Sequence, residues 1–351
     1  MSPTRGAIGN VTATPELVEM AMAYSRSRVL CAAARLGVAD ALGDDEHSVE
    51  ELAVVCDADV DSLYRLLRTL ASLGVTAETS PRRFVLAPFG QPLRKDVPNS
   101  AWAAVVFWSD LLADSWSHLT ECVRTGRTSF EIMNSEGIAS RWASAPDSSD
   151  IFRAVMGTGP EENYMPITKA WDFGSRGVVA DLGGGGGALI AGILSSHPQL
   201  HGMLVDRPES IEAAKPRFQG NDLGDRCQLI VADLKEEVPP GADVYVIKHV
   251  LHGCNDAAAR EILQNCRNAM PRDGCLLVIE FVLPDVISKP DPALQGRLLS
   301  DINMMAVTGG RERSAAEWKT LLATSGFAVE RIIPVTEMNM SIIEARLQQQ
   351  K

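Results

Sequence analysis

The stretch Val178–Ile190, VVADLGGGGGALI, decides the fold of this chain. An apolar run that ends in an acidic residue and then turns on glycines is typical of the first strand of a nucleotide-binding α/β sheet. Glycines let the backbone turn tightly and approach a ligand with no side chain in the way. The stretch therefore predicts a parallel sheet whose first strand leads into a ligand-binding loop.

Two classes of cofactor compete for this loop. Gly183, Gly185 and Ala188 satisfy the G-x-G-x-x-G/A fingerprint of dinucleotide-binding enzymes. A pyrophosphate is already negative, however, and Asp181 at the strand end would be a poor neighbour for it. The carboxylate suits a cofactor with a positive end, such as the ammonium and sulfonium of S-adenosylmethionine. The alternation of Asp181, Gly183, Gly185 and Gly187 resembles motif I of the Rossmann-like methyltransferases, which favours the methyl donor.

Three more predicted strands follow the glycines. Gly202–Asp206 ends in an acid, at a position where a carboxylate can accept hydrogen bonds from both ribose hydroxyls. Cys227–Asp233 ends in another acid, Asp233, which we expect to meet the adenine amino group. Val244–Lys248 is the fourth strand. Because polar residues at the carboxyl ends of parallel strands line the ligand crevice, the series supports a cofactor site.

Composition indicates an intracellular enzyme. The length of 351 residues predicts two domains and a large core. The seven cysteines are scattered and form no Cys-x-x-Cys pair, which fits reduced thiols in the cytoplasm better than disulfides or zinc. No long apolar run or signal sequence predicts a membrane segment. The net charge of −12 argues against nucleic acid or an anionic membrane as a partner.

The N-terminal third predicts a winged helix-turn-helix. Glu16–Leu42 has apolar residues at helical spacing, Ser48–Glu51 begins a helix with a capping box, and Asp59–Leu70 is a second helix. Arg83–Leu86 is the returning strand of a wing. A DNA-binding regulator must therefore be considered. Residues 1–100 hold ten Lys and Arg against thirteen Asp and Glu, however, so packing in a dimer is the preferred interpretation.

The three predicted regions are a dimerisation domain over residues 1–100, a helical linker and substrate-pocket region over 101–172, and a catalytic domain over 173–351. The linker region is rich in aromatic residues. Most should belong to the core, but together they offer a wall for an aromatic substrate. They are Trp102, Phe107, Trp108, Trp116, Phe130, Trp142, Phe152, Tyr164 and Trp171.

The catalytic chemistry is predicted after the fourth strand, in Lys248–Asp256, KHVLHGCND. His249 and His252 lie three residues apart, but no third ligand is convincingly spaced, so we predict no metal. His252 is the candidate general base. A phenol has a pKa of about 10 and is a poor nucleophile at neutral pH. A neutral imidazole can take its proton during attack on a methyl group. Glu280, which ends the fifth strand, and Glu312 are candidates to orient this imidazole.

At this point the chain resembles the winged-helix, dimeric small-molecule O-methyltransferases, a family that includes plant caffeic acid O-methyltransferase and bacterial antibiotic-tailoring enzymes. The resemblance covers nearly the whole chain, from the winged helix to a final strand around Ser341–Ala345. It includes the glycine loop, Ala232–Leu234, Lys248–His252, Ile279–Pro284 and Gly309–Arg313. It implies a Rossmann-like class I methyltransferase sheet preceded by a helical winged-helix dimerisation domain, and therefore a homodimer.

The resemblance also implies roles for individual residues. His252 would be the base, bracketed by Glu280 and Glu312. S-adenosylmethionine, which leaves as S-adenosylhomocysteine, would be held by residues of the glycine loop and of the following strand ends, and the acceptor by a clamping methionine, Met156. The implied cofactor contacts are Gly184 and its neighbours, Asp206, Asp233, Leu234 and Lys248.

The chain departs from the family at Gly253 and Cys254, where the family usually has Asp and Trp. The change removes a polar handle and a large apolar face beside His252, and Asn255 or Asp256 is a candidate to compensate. The glycine run also exceeds the usual pattern at Gly186. We predict an S-adenosylmethionine-dependent O-methyltransferase acting on an aromatic or polycyclic small molecule of secondary metabolism. The alternatives are N- or C-methylation, a repurposed reaction, an NAD-dependent oxidoreductase and a DNA-binding regulator.

Overall fold

The computed structural model describes residues 15–133, 148, 151, 154–155 and 160–348. The chain divides into two compact units, Met1–Ala113 and Asp114–Lys351. The division into three regions at residues 100 and 172 stays a prediction.

The first unit is helical with a small sheet. Its predicted helical stretch breaks at Gly37, whose left-handed φ of 68° ends the first helix and begins the second. The elements are α1 Pro15–Arg35, α2 Val38–Leu42, β1 His47–Ser48, α3 Val49–Val55, α4 Val60–Ser72, β2 Thr76–Ser80, β3 Arg83–Leu86, a 3₁₀ helix Pro88–Leu93, α5 Trp102–Val106 and a π-helical turn Phe107–Leu111.

The winged helix-turn-helix is confirmed. The Ser48 side chain accepts a hydrogen bond from the backbone of Glu51, whose carboxylate accepts one in return, so the capping box that starts α3 is complete. In α4, Leu63, Leu67 and Leu70 recur at helical spacing and are fully buried. Strands β2 and β3 pair antiparallel as the wing, and β1 extends the sheet on the other side of β3.

The second unit is an α/β domain, and it brings all five predicted parallel strands into one sheet. Its helices are α6 Ala113–Ser117, α7 Leu119–Thr125, α8 Ser129–Ile132, α9 Met165–Ala170, α10 Ala188–Ser196, α11 Pro208–Phe218, α12 Asp222–Arg226, α13 Asp256–Ala269, α14 Pro292–Val307 and α15 Ala315–Thr324. Its strands are β4 Val178–Leu182, β5 His201–Asp206, β6 Cys227–Val231, β7 Val244–Lys248, β8 Cys275–Glu280, β9 Val282–Leu283, β10 Arg313–Ser314, β11 Phe327–Val335 and β12 Met340–Leu347.

The seven-stranded sheet has the order β11-β12-β8-β7-β4-β5-β6. Strands β4 to β8 run parallel, whereas β12 is antiparallel to both of its neighbours. The strand order reverses at β4, which has β5 on one side and β7 on the other. Ligands of open α/β sheets bind at such a switch point, outside the carboxyl ends of the strands. The glycine loop, Asp206 and Lys248 therefore meet at one edge.

The core lies on both faces of this sheet. Successive residues of a strand point to opposite faces, so Ala180 and Leu182 belong to one apolar cluster and Val179 to the other. Helices α13 and α15 cover the first face, and α10 and α11 cover the second. Because both faces are covered, the strands read as continuous apolar runs. Among the described residues, no helix combines the length and apolar character that a membrane crossing requires.

Candidate active site

The glycine loop, Gly183–Gly187, needs glycine for its backbone turns and also because neighbouring side chains pack closely against it. Gly183 and Gly187 adopt left-handed φ angles of 69° and 75°. A Cβ atom on Gly187 would lie 2.7 Å from the Phe218 ring, and one on Gly183 would lie 2.6 Å from Val250 Cγ2. Side chains at either position would therefore collide with the protein itself. Helix α10 begins directly after Gly187.

Asp181 is buried beneath this loop with an unsatisfied oxygen. It is 1% exposed, and its Oδ2 has no hydrogen-bond partner in the described structure. Burial raises the pKa of Asp181 to about 7, and the nearby Lys248 opposes that rise. A Cβ on Gly184 would lie 2.5 Å from this Oδ2, so the glycine leaves the carboxylate uncovered. A buried carboxylate without a partner fits a cofactor that presents a positive group.

The predicted ribose carboxylate, Asp206, also orders the loop. Its Oδ2 accepts a hydrogen bond of 2.8 Å from the Gly185 backbone, and its Oδ1 accepts one of 2.7 Å from the Arg207 backbone. The predicted adenine contact, Asp233, lies two residues beyond the end of β6 at Val231, so this strand is shorter than expected. Asp233 is exposed, and its Oδ1 accepts from the Lys235 backbone at 2.9 Å.

Leu234, another cofactor contact that the resemblance implies, is buried, and its Cδ1 would contact a Cβ on Gly183. The cofactor side also contains Arg217, which the sequence did not single out, and an unpredicted contact of the predicted residue Lys248. Arg217 Nε donates to the Gly186 carbonyl at 2.9 Å, which fixes the middle of the glycine run. Lys248 Nζ lies 5.2 Å from the centre of the Tyr164 ring, a cation–π contact.

His252 and the two predicted acids form one cluster. Nδ1 of His252 lies 2.8 Å from Glu312 Oε1 and 3.9 Å from Glu280 Oε2. Burial lowers the pKa of His252, but the two carboxylates outweigh burial and raise it above its ordinary value of 6.5. His252 and Glu312 are sixty positions apart in the chain, and the sheet edge brings them together. All three predicted catalytic residues therefore meet.

Glu280 supports the backbone of the histidine turn. It is fully buried at the end of β8, and its Oε1 accepts from the backbones of Val250 at 3.1 Å and His252 at 3.3 Å. Burial raises the pKa of Glu280 to about 7, with His252 opposing and Glu312 reinforcing the rise. Its Oε2 has no hydrogen-bond partner among the described residues. Glu312 Oε1 also accepts from Ser300 Oγ at 2.8 Å, which fixes that carboxylate.

Arg313 is an unpredicted positioning residue. Its side chain is 1% exposed and donates to the carbonyls of Leu251 and Cys254, both at 3.1 Å, and to Asp256 Oδ1 at 2.8 Å. Strand β10, which contains Arg313, pairs with β9, and only Phe281 separates β9 from Glu280. The arginine thus clamps both ends of the turn that carries His252. In the sequence, Arg311, Glu312 and Arg313 are simply three consecutive charged residues, and nothing shows that Arg313 is buried.

The turn begins with a second unpredicted feature, the conformation of His249. This residue has a left-handed φ of 54°, which is uncommon for a side chain with a Cβ. Its ring meets the His252 ring edge-on, with centroids 4.8 Å apart, and contacts the Phe281 ring at 5.1 Å. Burial, Lys248 and His252 together hold the pKa of His249 well below its ordinary range. His249 is therefore neutral at physiological pH.

The departures from the family pattern open space next to His252. A Cβ built on Gly253 meets no atom of the described residues within 4 Å, and Cys254 is half-buried with its Sγ 3.6 Å from the Val250 carbonyl. Neither residue proposed to compensate is free to do so. Asn255 caps α13 through its Oδ1, and Asp256 pairs with Arg313.

Several aromatic residues of the linker region belong to the core. Phe107, Phe130 and Trp171 are buried. The Trp171 indole donates to Glu344 Oε2 at 2.9 Å. Met156, Trp142 and Phe152, which the sequence placed at or near the acceptor, lie outside the described residues. The aromatic wall stays a prediction.

Comparison with known proteins identifies the family. Residues 116–328 match the O-methyltransferase domain, and residues 18–95 match the O-methyltransferase dimerisation domain. The chain belongs to this O-methyltransferase family. The cofactor is therefore S-adenosylmethionine rather than a dinucleotide, and the dimerisation domain confirms the predicted homodimer. In the part of α1 that lies within this match, Val18, Met20 and Tyr24 are exposed.

Individual relatives of this O-methyltransferase align over nearly its whole length. The phenazine O-methyltransferase of Lysobacter antibioticus is 36% identical, with 96% of this chain and 97% of the relative covered. The phenazine-1-carboxylate N-methyltransferase of Pseudomonas aeruginosa is 30% identical, with 96% and 98% covered. The crystal structure of an O-methyltransferase from neocarzinostatin biosynthesis, in complex with S-adenosylmethionine and 2-hydroxy-5-methyl naphthoic acid, has a TM-score of 0.81 and 29% identity, with 96% and 100% covered.

Proposed function

We propose that this enzyme transfers a methyl group from S-adenosylmethionine to a hydroxyl group of an aromatic or polycyclic small molecule, with His252 as the general base. The observation that carries the proposal is the 2.8 Å contact between His252 Nδ1 and Glu312 Oε1. A carboxylate is an acceptor, so Nδ1 carries the hydrogen and Nε2 keeps a lone pair. That lone pair is what a base for a phenol needs.

In the proposed mechanism, one group of residues binds the cofactor and a second group removes the proton from the acceptor. When bound, S-adenosylmethionine supplies an electrophilic methyl group. The glycine loop, Asp206 and the uncovered carboxylate of Asp181 fit the cofactor and fix its orientation. His252 accepts the hydroxyl proton at Nε2 as the oxygen attacks, and the carboxylates of Glu312 and Glu280 stabilise the imidazolium. Most of the acceleration comes from aligning the acceptor oxygen with the methyl group, and a smaller part from the base.

Aromatic acceptors are supported by the compounds named for the relatives. A phenazine and a naphthoic acid are flat fused rings. The open space at Gly253 is consistent with a ring system that approaches His252 closely. The relative named as an N-methyltransferase keeps a second candidate in view, an aromatic amine acceptor. An amine nitrogen attacks through its own lone pair and needs a base less than a phenol does.

A panel of acceptors tests the proposal. Hydroxyphenazines, hydroxynaphthoates and simple phenols would be incubated with the enzyme and a methyl donor labelled in its methyl group, beside aromatic amines matched in ring size. We expect label on hydroxyl oxygen, located by NMR of the product. Label on nitrogen alone would favour the second candidate, and no transfer to any member of the panel would count against both.

A further inference from the structure

The cluster around Glu280 contains more potential metal ligands than methyl transfer uses. One ligand atom from each of His249, His252 and Glu280 lies within 4.8 Å of the other two. Nδ1 of His249 and Nδ1 of His252 are each 3.9 Å from the same atom, Glu280 Oε2. That distance exceeds a hydrogen bond. Two imidazoles thus converge on one carboxylate oxygen without bonding to it.

Glu280 Oε2 is the independent sign that something belongs between them. The carboxylate is fully buried, and Oε1 is satisfied by two backbone N–H groups, whereas Oε2 has no hydrogen-bond partner among the described residues. A buried carboxylate oxygen without a partner is destabilising. A cation at this position would remove that destabilisation.

The backbone conformation of His249 also indicates a functional site next to Glu280 Oε2. A left-handed φ of 54° is uncommon for a residue with a side chain, and such conformations concentrate at functional sites. Lys248 on the preceding position is directed to the cofactor side, where it meets Tyr164. The His249 imidazole, after the left-handed residue conformation, instead contacts the rings of His252 and Phe281. Methyl transfer assigns no role to this second imidazole.

We propose that His249, His252 and Glu280 form a binding site for a divalent transition-metal ion such as Zn²⁺. Two imidazole nitrogens and one carboxylate oxygen are a donor set that zinc and copper accept, whereas Mg²⁺ and Ca²⁺ prefer oxygen alone. Ligands of one tetrahedral zinc lie about 3.3–3.5 Å apart, so ligand atoms that lie within 4.8 Å of one another need to close by at most about 1.5 Å. The histidine side chains are 24% and 13% exposed, which leaves an ion a route from solvent.

The bound ion would hold the enzyme inactive, an effect that rests on the proposed function of His252. If the ion takes Nε2, the lone pair that accepts the proton is lost. If it takes Nδ1, the contact with Glu312 is lost and the ring hydrogen moves to Nε2, which then has no free lone pair. In either case the histidine no longer serves as the base. The metal is therefore an inhibitor that competes for the base and takes no part in the transfer.

Metal binding is tested first, without any acceptor. The purified full-length enzyme would be titrated with Co²⁺, whose visible absorption reports the ligands, and then with Zn²⁺ in competition. We expect one ion per chain, a spectrum of nitrogen and oxygen ligands, and binding at least ten-fold weaker in His249→Asn. Asparagine tolerates the left-handed conformation, so this variant should keep its fold. His201→Asn, at an exposed position at the start of β5, is the matched control and should bind like the wild type.

Two results would overturn the site. One is equal affinity in His249→Asn and the wild type. The other is a spectrum with thiolate charge-transfer bands that disappears in Cys254→Ser, because it would place the ion on the cysteine. The inhibition is then tested as loss of methyl transfer on adding Zn²⁺ and recovery on adding a chelator. An ion that binds with the expected pattern but leaves transfer unchanged supports the site and counts against His252 as the base.

Discussion

The ligand-binding edge of the sheet has two proposed sides, a cofactor side around the glycine loop and an acceptor side around His252. They are built in different ways. On the cofactor side, backbone shape dominates, because Gly184 leaves room above Asp181, Gly183, Gly185 and Gly187 turn at positive φ, and the Asp206 side chain accepts a hydrogen bond from the Gly185 backbone. On the acceptor side, side chains dominate, because His252 depends on Glu280, Glu312 and the Arg313 clamp. Substitutions on the cofactor side should therefore exclude the cofactor sterically and lower its affinity. Substitutions on the acceptor side should lower kcat while the cofactor still binds.

The largest expected effect separates the two sides. His252→Ala should lower kcat with an accepted phenol about 10²- to 10⁴-fold, because the base is gone. The dissociation constant for S-adenosylmethionine, followed by tryptophan fluorescence, should stay within a factor of about two of the wild type. His201→Ala, at an exposed position, is the control for removing a histidine. Normal turnover in His252→Ala would refute the base assignment.

The opposite pattern is expected for the glycine loop. Gly184→Ala puts a methyl group 2.5 Å from both Asp181 Oδ2 and Leu204 Cδ1. The added carbon covers the carboxylate, so cofactor affinity should fall by about ten-fold or more, while kcat at saturating cofactor changes less. Gly296→Ala, where a Cβ meets open space, is the matched control. Unchanged affinity in Gly184→Ala, measured by calorimetry, would show that the cofactor does not use this face of the loop.

Arg313→Lys tests whether the acceptor side depends on its clamp. Lysine cannot reach two carbonyls and a carboxylate at once, because it lacks the planar fork of arginine. Loss of these contacts should lower the free energy of unfolding by about 2–3 kcal/mol and lower kcat through a loosened His252. Arg311→Lys removes a half-exposed arginine that pairs with Glu317 on the surface, and it should change neither quantity appreciably. Thermal unfolding and kcat of the two variants would be compared, and equal behaviour would exclude a clamp.

Much of the cofactor side could be read from the sequence, because its requirements are local. The strand, the glycines and Asp181 are contiguous, and the strand ends at Asp206 and Lys248 lie where they were predicted. The predicted end of β6 was wrong by two residues. The strand ends at Val231, and the Asp233 side chain accepts a hydrogen bond from the Lys235 backbone in the loop that follows. An acid that follows a strand looks the same in sequence whether it extends the strand or caps a turn.

The acceptor side depended on the family resemblance, because its contacts are distant in the chain. The proposed base, His252, and Glu312 are separated by sixty positions, and the pairing of β9 with β10 brings them together. Burial of Arg313 and the left-handed conformation of His249 leave no signature in composition or periodicity. For the same reason Asn255 and Asp256 could not be excluded as substitutes for the missing Asp, although both are occupied by structural contacts.

The dependence of kcat/KM on pH tests the central claim most directly. The base acts when deprotonated, so the rate falls as pH drops through the pKa of His252, which the two carboxylates raise above 6.5. The wild type should therefore lose activity with a midpoint above pH 6.5. Glu312→Gln removes one charge and lowers that pKa, so its midpoint should move down by about one pH unit. Identical profiles in the two enzymes would contradict a histidine base held by Glu312.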